Sequence, residues 1–102
     1  MKANFYLAQA YFSEGQKDKS IPNYQYVINE PRSEFTEQSL ARLSQVLLDS
    51  NQKEKAIPVL IRLETESDFP QNKVFAQSNL MKCYYDKKDY VNSVIYADKV
   101  LN

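Results

Sequence analysis

Histidine and tryptophan are absent from this 102-residue chain, glycine and cysteine occur once each, and proline four times. Without histidine, neither a Cys–His nor a Ser–His–Asp nucleophile can be assembled. Cys83 supplies only one of the four Cys or His ligands that a structural zinc site needs. A lone cysteine also forbids an internal disulfide and leaves the redox compartment open. One glycine and four prolines leave little for a turn-rich β fold. No charge sign is in excess, with 13 basic and 13 acidic residues, which argues against nucleic-acid binding through bulk electrostatics. No apolar run reaches membrane-spanning length, and no basic start followed by an apolar stretch reads as a signal peptide. Neither a phosphate-binding loop nor a calcium loop is visible. The expectation is a chain that is not an enzyme, takes no cofactor or metal, and inserts in no membrane.

What the chain does have is a repeat. Ser13–Pro22 returns thirty-six residues later as Asp49–Pro58, with Gln16, Lys17, Lys19, Ile21 and Pro22 recurring as Gln52, Lys53, Lys55, Ile57 and Pro58. Gly15 becomes Asn51, and both residue types tolerate the left-handed conformation that ends a helix. A fixed period of this size is the signature of stacked structural repeats. Leu, Ala, Lys, Gln and Glu dominate between the turns and favour helix. Apolar spacing predicts six helices: residues 3–14, 17–29, 34–50, 53–66, 71–87 and 90–101. Ser33 is the expected cap of the third. Pro22 and Pro58 lie past the first turn of their helices, at matching positions, which predicts a tolerated local feature rather than a break.

The repeat resembles the tetratricopeptide unit, a helix–turn–helix of about 34 residues. The first unit matches at Leu7, Ala8, Tyr11, Ser20, Tyr24 and Pro31. The second matches at Leu43, Ser44, Leu47, Ala56, Leu60 and Pro70, and the third at Leu80, Tyr84, Ser93 and Ala97. Asn4, Leu40 and Gln77 replace the leading aromatic, Met81 stands where a small residue is usual, and Lys88 stands at the third turn. The resemblance implies an all-α fold, an α-α superhelix or solenoid of three repeats (about 1–33, 34–70 and 71–102) built from six antiparallel helices. It also implies a segment of a longer array. An ordinary six-helix bundle without true repeats is the alternative.

In the family, the first helix of each unit lines a concave groove. Carried over by position, the peptide-binding residues here are Phe5, Gln9, Phe12, Ala41, Gln45, Leu48, Ser78, Lys82 and Tyr85. Phe12, Leu48 and Tyr85 form an apolar row, and Gln9, Gln45 and Lys82 a polar row. Such a surface suits an extended or helical peptide; the apolar row fits half-buried packing equally well. The basic clamp by which chaperone-binding members hold a C-terminal carboxylate would fall on Phe5, Gln9, Arg42, Phe75 and Asn79, where only Arg42 is cationic. The implied function is a non-catalytic module for an unidentified protein or peptide partner. The alternative is a structural spacer with no ligand of its own. Open apolar ends, with Phe5, Tyr6 and Ala10 on the first helix and Tyr90, Val94, Ala97 and Leu101 on the last, predict self-association. The stretches Leu80–Tyr85 and Ala97–Leu101 are similar to long bacterial cell-envelope arrays of the family, which leans localisation to the envelope. Cys83, late in its helix, reads as a packing residue.

Overall fold

A computed structural model describes residues 1–102 and contains six α-helices and no strand. They are α1 (Lys2–Ser13), α2 (Lys17–Asn29), α3 (Thr36–Asp49), α4 (Lys53–Glu66), α5 (Pro70–Asp86) and α6 (Tyr90–Leu101). Their contacts gather in two compact units, Met1–Gln52 and Lys53–Asn102.

The turns after α1, α3 and α5 have one construction. Gly15, Asn51 and Lys88 hold φ of +81°, +60° and +65°. Each donates its backbone N–H to the residue three back, at Phe12, Leu48 and Tyr85, and the next residue donates to Tyr11, Leu47 and Tyr84. Two such bonds around a left-handed residue satisfy carbonyls that a helix end leaves open, the Schellman arrangement. Gly15 meets this at little steric cost and Asn51 at moderate cost, whereas Lys88 carries the full Cβ penalty.

The second kind of connection also recurs. In Ser33-Glu34-Phe35 and Ser67-Asp68-Phe69 the serine hydroxyl accepts the phenylalanine backbone N–H, at 3.2 and 3.0 Å. Serine bends the chain in this way by offering its own oxygen to a nearby amide. Thr36 adds its hydroxyl as acceptor for Ser33 N–H, 2.9 Å. Ser33 is therefore part of the turn ahead of α3 and not its cap, and α3 starts at Thr36. α2 and α4 run unbroken through Pro22 and Pro58. Each proline is exposed near its helix start, so the carbonyl it leaves without a donor, four residues back, can turn to water.

In the first unit α2 packs against both α1 and α3. Ala8 and Ser20 are fully buried, and such small residues let helix backbones approach. The Tyr24 hydroxyl donates to Gln9 Oε1, tying α2 to α1. Tyr24, Val27, Leu40, Leu43 and Val46 are also fully buried. Phe5 packs on Phe35 with ring centroids 4.7 Å apart.

In the second unit α5 packs against both α4 and α6. Leu60, Leu63, Ala76 and Leu80 are fully buried. Ser93 donates its hydroxyl to the Met81 carbonyl, 3.0 Å, across the α5–α6 hairpin. Tyr84 and Tyr96 stack at 5.8 Å with nearly parallel rings. Contacts in every packed pair match a residue before the connection with one at a similar distance after it, so each pair is antiparallel.

Candidate interaction surface

Six of the nine groove positions, Phe5, Gln9, Phe12, Ala41, Gln45 and Leu48, lie in the first unit. There most are already engaged. Phe5 is 5% exposed, so its ring belongs to the core. Gln9 holds the Tyr24 hydroxyl. Burial pushes the Tyr24 phenol up from its ordinary pKa, with Arg42 opposing; the phenol stays protonated and donating. The half-buried Phe12 ring has the Lys17 ammonium 5.1 Å from its centre and the Arg42 guanidinium 4.5 Å away, both in cation–π range. Gln45 donates to Asp49 at 2.9 Å. Ala41 and Leu48 are half-buried.

The remaining three, Ser78, Lys82 and Tyr85, lie on α5 in the second unit, and the picture differs. Ser78 is half-buried, whereas Lys82 is exposed and Tyr85 is 61% exposed. Tyr85 touches Tyr90 edge to face at 5.6 Å. Lys82 and Tyr85 border an open, mostly apolar hollow of about 390 Å³ along the α5–α6 hairpin, floored by Met81, Ser93, Val94 and Ala97. Small residues on α6 make the hollow: Ala97 stands where α2 and α4 carry Tyr24 and Leu60. The thiol of nearby Cys83 is pushed up by burial, with Lys53 opposing, so it is a thiol and not a thiolate.

No family model, curated protein or solved structure matches the chain.

A second hollow, of about 430 Å³, lies at the turn edge of the first unit, between Gly15–Lys19 and Asp49–Ser50. Its polar groups are already engaged: Lys17 pairs with Asp49 at 3.5 Å, Ser50 donates to Asp18 at 2.8 Å, and Lys19 lies over the Tyr11 ring. The second unit repeats the arrangement one period on, with Lys53 on Asp86 at 2.5 Å and Lys87 on Glu54 at 3.3 Å. These rungs register one hairpin's second helix against the next hairpin's first helix. The composition shows the charges, but their pairing emerges only when both helices are in place. No helix is long and apolar enough to cross a membrane.

Proposed function

We propose that the chain is a non-catalytic, tetratricopeptide-like interaction module that binds a protein or peptide segment, with Lys82 and Tyr85 of α5 as its principal contacts. The observation that carries this reading is the open apolar hollow beside an exposed tyrosine and an exposed lysine. Helix-in-groove and extended-peptide recognition both use apolar anchors flanked by polar groups, and tyrosine is enriched where binding energy concentrates. The three in-phase Schellman turns and the buried small residues Ala8, Ser20, Ser44 and Ala56 support the helical-repeat reading and, with it, a solenoid stack. The engagement of Phe5, Gln9, Phe12 and Gln45 favours a structural role for the first unit, so the spacer reading is retained for that part of the chain.

The test is a peptide-library selection against the chain, followed by binding and unfolding measurements on Tyr85→Ala, Lys82→Ala and Phe12→Ala. Tyr85→Ala and Lys82→Ala should weaken a selected peptide by tenfold or more, about 1.4 kcal/mol, with the thermal midpoint unchanged. Phe12→Ala should lower the midpoint. Loss of stability in all three, with no selective loss of binding, would make these residues packing groups and favour a spacer.

A further inference from the structure

An exposed face of α1 in the first unit and one of α6 in the second match the two sides of an interface that the chain already builds twice. α3 packs on α2 in the first unit, and α5 packs on α4 in the second. On the incoming helix, Leu43 and Leu80 are fully buried, as are Val46 and Cys83. Their counterparts on α1, one period earlier, are Leu7, which is 45% exposed, and Ala10, also exposed. On the receiving helix, Leu63 and Val27 are fully buried and Ile57 nearly so. Their counterparts on α6 are Val100 and Val94, both exposed, the latter to 58%. Thus α1 keeps an apolar surface where its equivalents are covered from one side, and α6 keeps one where its equivalents are covered from the other.

We propose that α1 of a second copy of this chain seats on the α5–α6 hairpin, continuing head to tail the packing of α3 on α2 and of α5 on α4. The hollow floored by Val94 and Ala97 is the receiving side. The rungs formed by Lys17 with Asp49 and by Lys53 with Asp86 have as their next members the uncharged Tyr90 on α6 and Ser13 on α1, and the rung of Glu54 with Lys87 continues onto Val91 on α6 and the exposed Glu14 on α1. The contact that Phe12 makes with Arg42 maps onto Tyr85 and Tyr6, two exposed aromatics suited to pair with each other. Such an interface is heterologous: each copy offers a different face, so association passes from copy to copy and rises with concentration. The inference rests on the equivalence of the repeats and shares the α5–α6 hollow and Tyr85 with the peptide reading; Leu7 belongs to the copy interface alone, so Leu7→Asp should abolish association and leave the affinity for a selected peptide unchanged, and either result can fail without the other.

Sedimentation equilibrium on the chain and two variants tests it. The weight-average mass should climb with concentration for the unsubstituted chain. Leu7→Asp and Val94→Asp should each stay monomeric alone, with unchanged helical circular dichroism, since both side chains are solvent-exposed. Mixed in equal amounts they should form a dimer and stop there, because the mixture offers one intact α1 face and one intact α6 face. Leu101→Asp, in the last turn of α6, replaces Val94→Asp if the latter melts the hairpin. A monomer at every concentration overturns the proposal. So does a Leu7→Asp chain that still dimerises, which would mean that two α6 faces pair symmetrically, or a mixture that remains monomeric.

Discussion

At the scale of single residues, the three left-handed positions form a graded series on one backbone. The space around a Cβ at Gly15 is open, so any cost of substitution there is conformational and not steric contact with neighbours. Gly15→Val should therefore destabilise by about 1–2 kcal/mol, the penalty of a β-branched residue at positive φ. Asn51→Gly should be close to neutral. Lys88→Gly should stabilise by about 1 kcal/mol, because it removes strain from an exposed side chain with no ion pair of its own among those formed. Urea midpoints of the three variants check the order, and a destabilised Lys88→Gly would break it. Ser39 offers a second residue-scale test. Its hydroxyl is buried and has no hydrogen-bond partner, and Ala76 occupies the equivalent position on α5. Ser39→Ala should raise stability by about 1 kcal/mol, relieving a desolvated hydroxyl and improving helix propensity. A lower melting temperature for Ser39→Ala would mean that the hydroxyl is satisfied after all.

At the scale of elements, the helices were legible because their signals are local. Gly15 and Asn51 mark stops, apolar spacing marks faces, and the repeated Gln-Lys segment sets the phase. Ser33 misled because a serine two residues before an amide can form a turn as readily as a cap, and only the position of Phe35 decides between them. Counting along the repeat puts Phe5 on a groove, and that count carries no information that Phe35 covers its ring. The partners of Gln9 and Phe12 are equally invisible in the sequence, since Tyr24 and Arg42 reach them from other helices. Where the local signal was right, it predicts energetics. Ala8 and Ala56 are fully buried, so Ala8→Leu or Ala56→Leu should cost about 1–3 kcal/mol by overpacking, read as a fall in thermal midpoint. The start of α6 responds to acid. The Asp89 carboxylate accepts from the side chain and backbone N–H of Asn92, and these bonds hold its pKa below the ordinary aspartate value. A depressed folded-state pKa means a contribution fully present above the unfolded value and lost as pH falls through the folded one. Asp89→Ala should thus lower the midpoint at neutral pH and make no difference once pH is well below the carboxylate range. A pH-independent effect would assign the loss to something other than the cap.

At the scale of the molecule, balanced charge and many ion pairs raise the question of what holds the helices together. The rung pairs Lys17–Asp49, Lys53–Asp86 and Lys87–Glu54 all have side chains at least 40% exposed. Exposed pairs contribute little because water screens them and two long side chains lose freedom in forming them. Glu64 is different. Its side chain is 13% exposed, and it accepts from Gln77 of α5 at 3.1 Å and from Lys99 of α6 at 3.2 Å, while its backbone carbonyl takes Lys73 at 2.9 Å. It stands where the first repeat has the buried Ile28, so the second unit replaces an apolar contact with a polar node joining three helices. The phenol of neighbouring Tyr96 is pushed up from its ordinary pKa first by burial and then by the Glu64 charge, with Lys99 opposing. Removing a charge partner that is largely withdrawn from water leaves its donors without an acceptor, at about 1–3 kcal/mol. Glu64→Ala should therefore lower the thermal midpoint clearly, whereas Lys53→Met, which breaks an exposed rung, should leave it in place. Raising salt to 1 M should follow the same division, with the midpoint nearly constant for the unsubstituted chain because the screened pairs contribute little and the Glu64 node is shielded. A steep loss of stability with salt, matched by a large cost for Lys53→Met, would show that the rungs and not the buried apolar faces carry the fold.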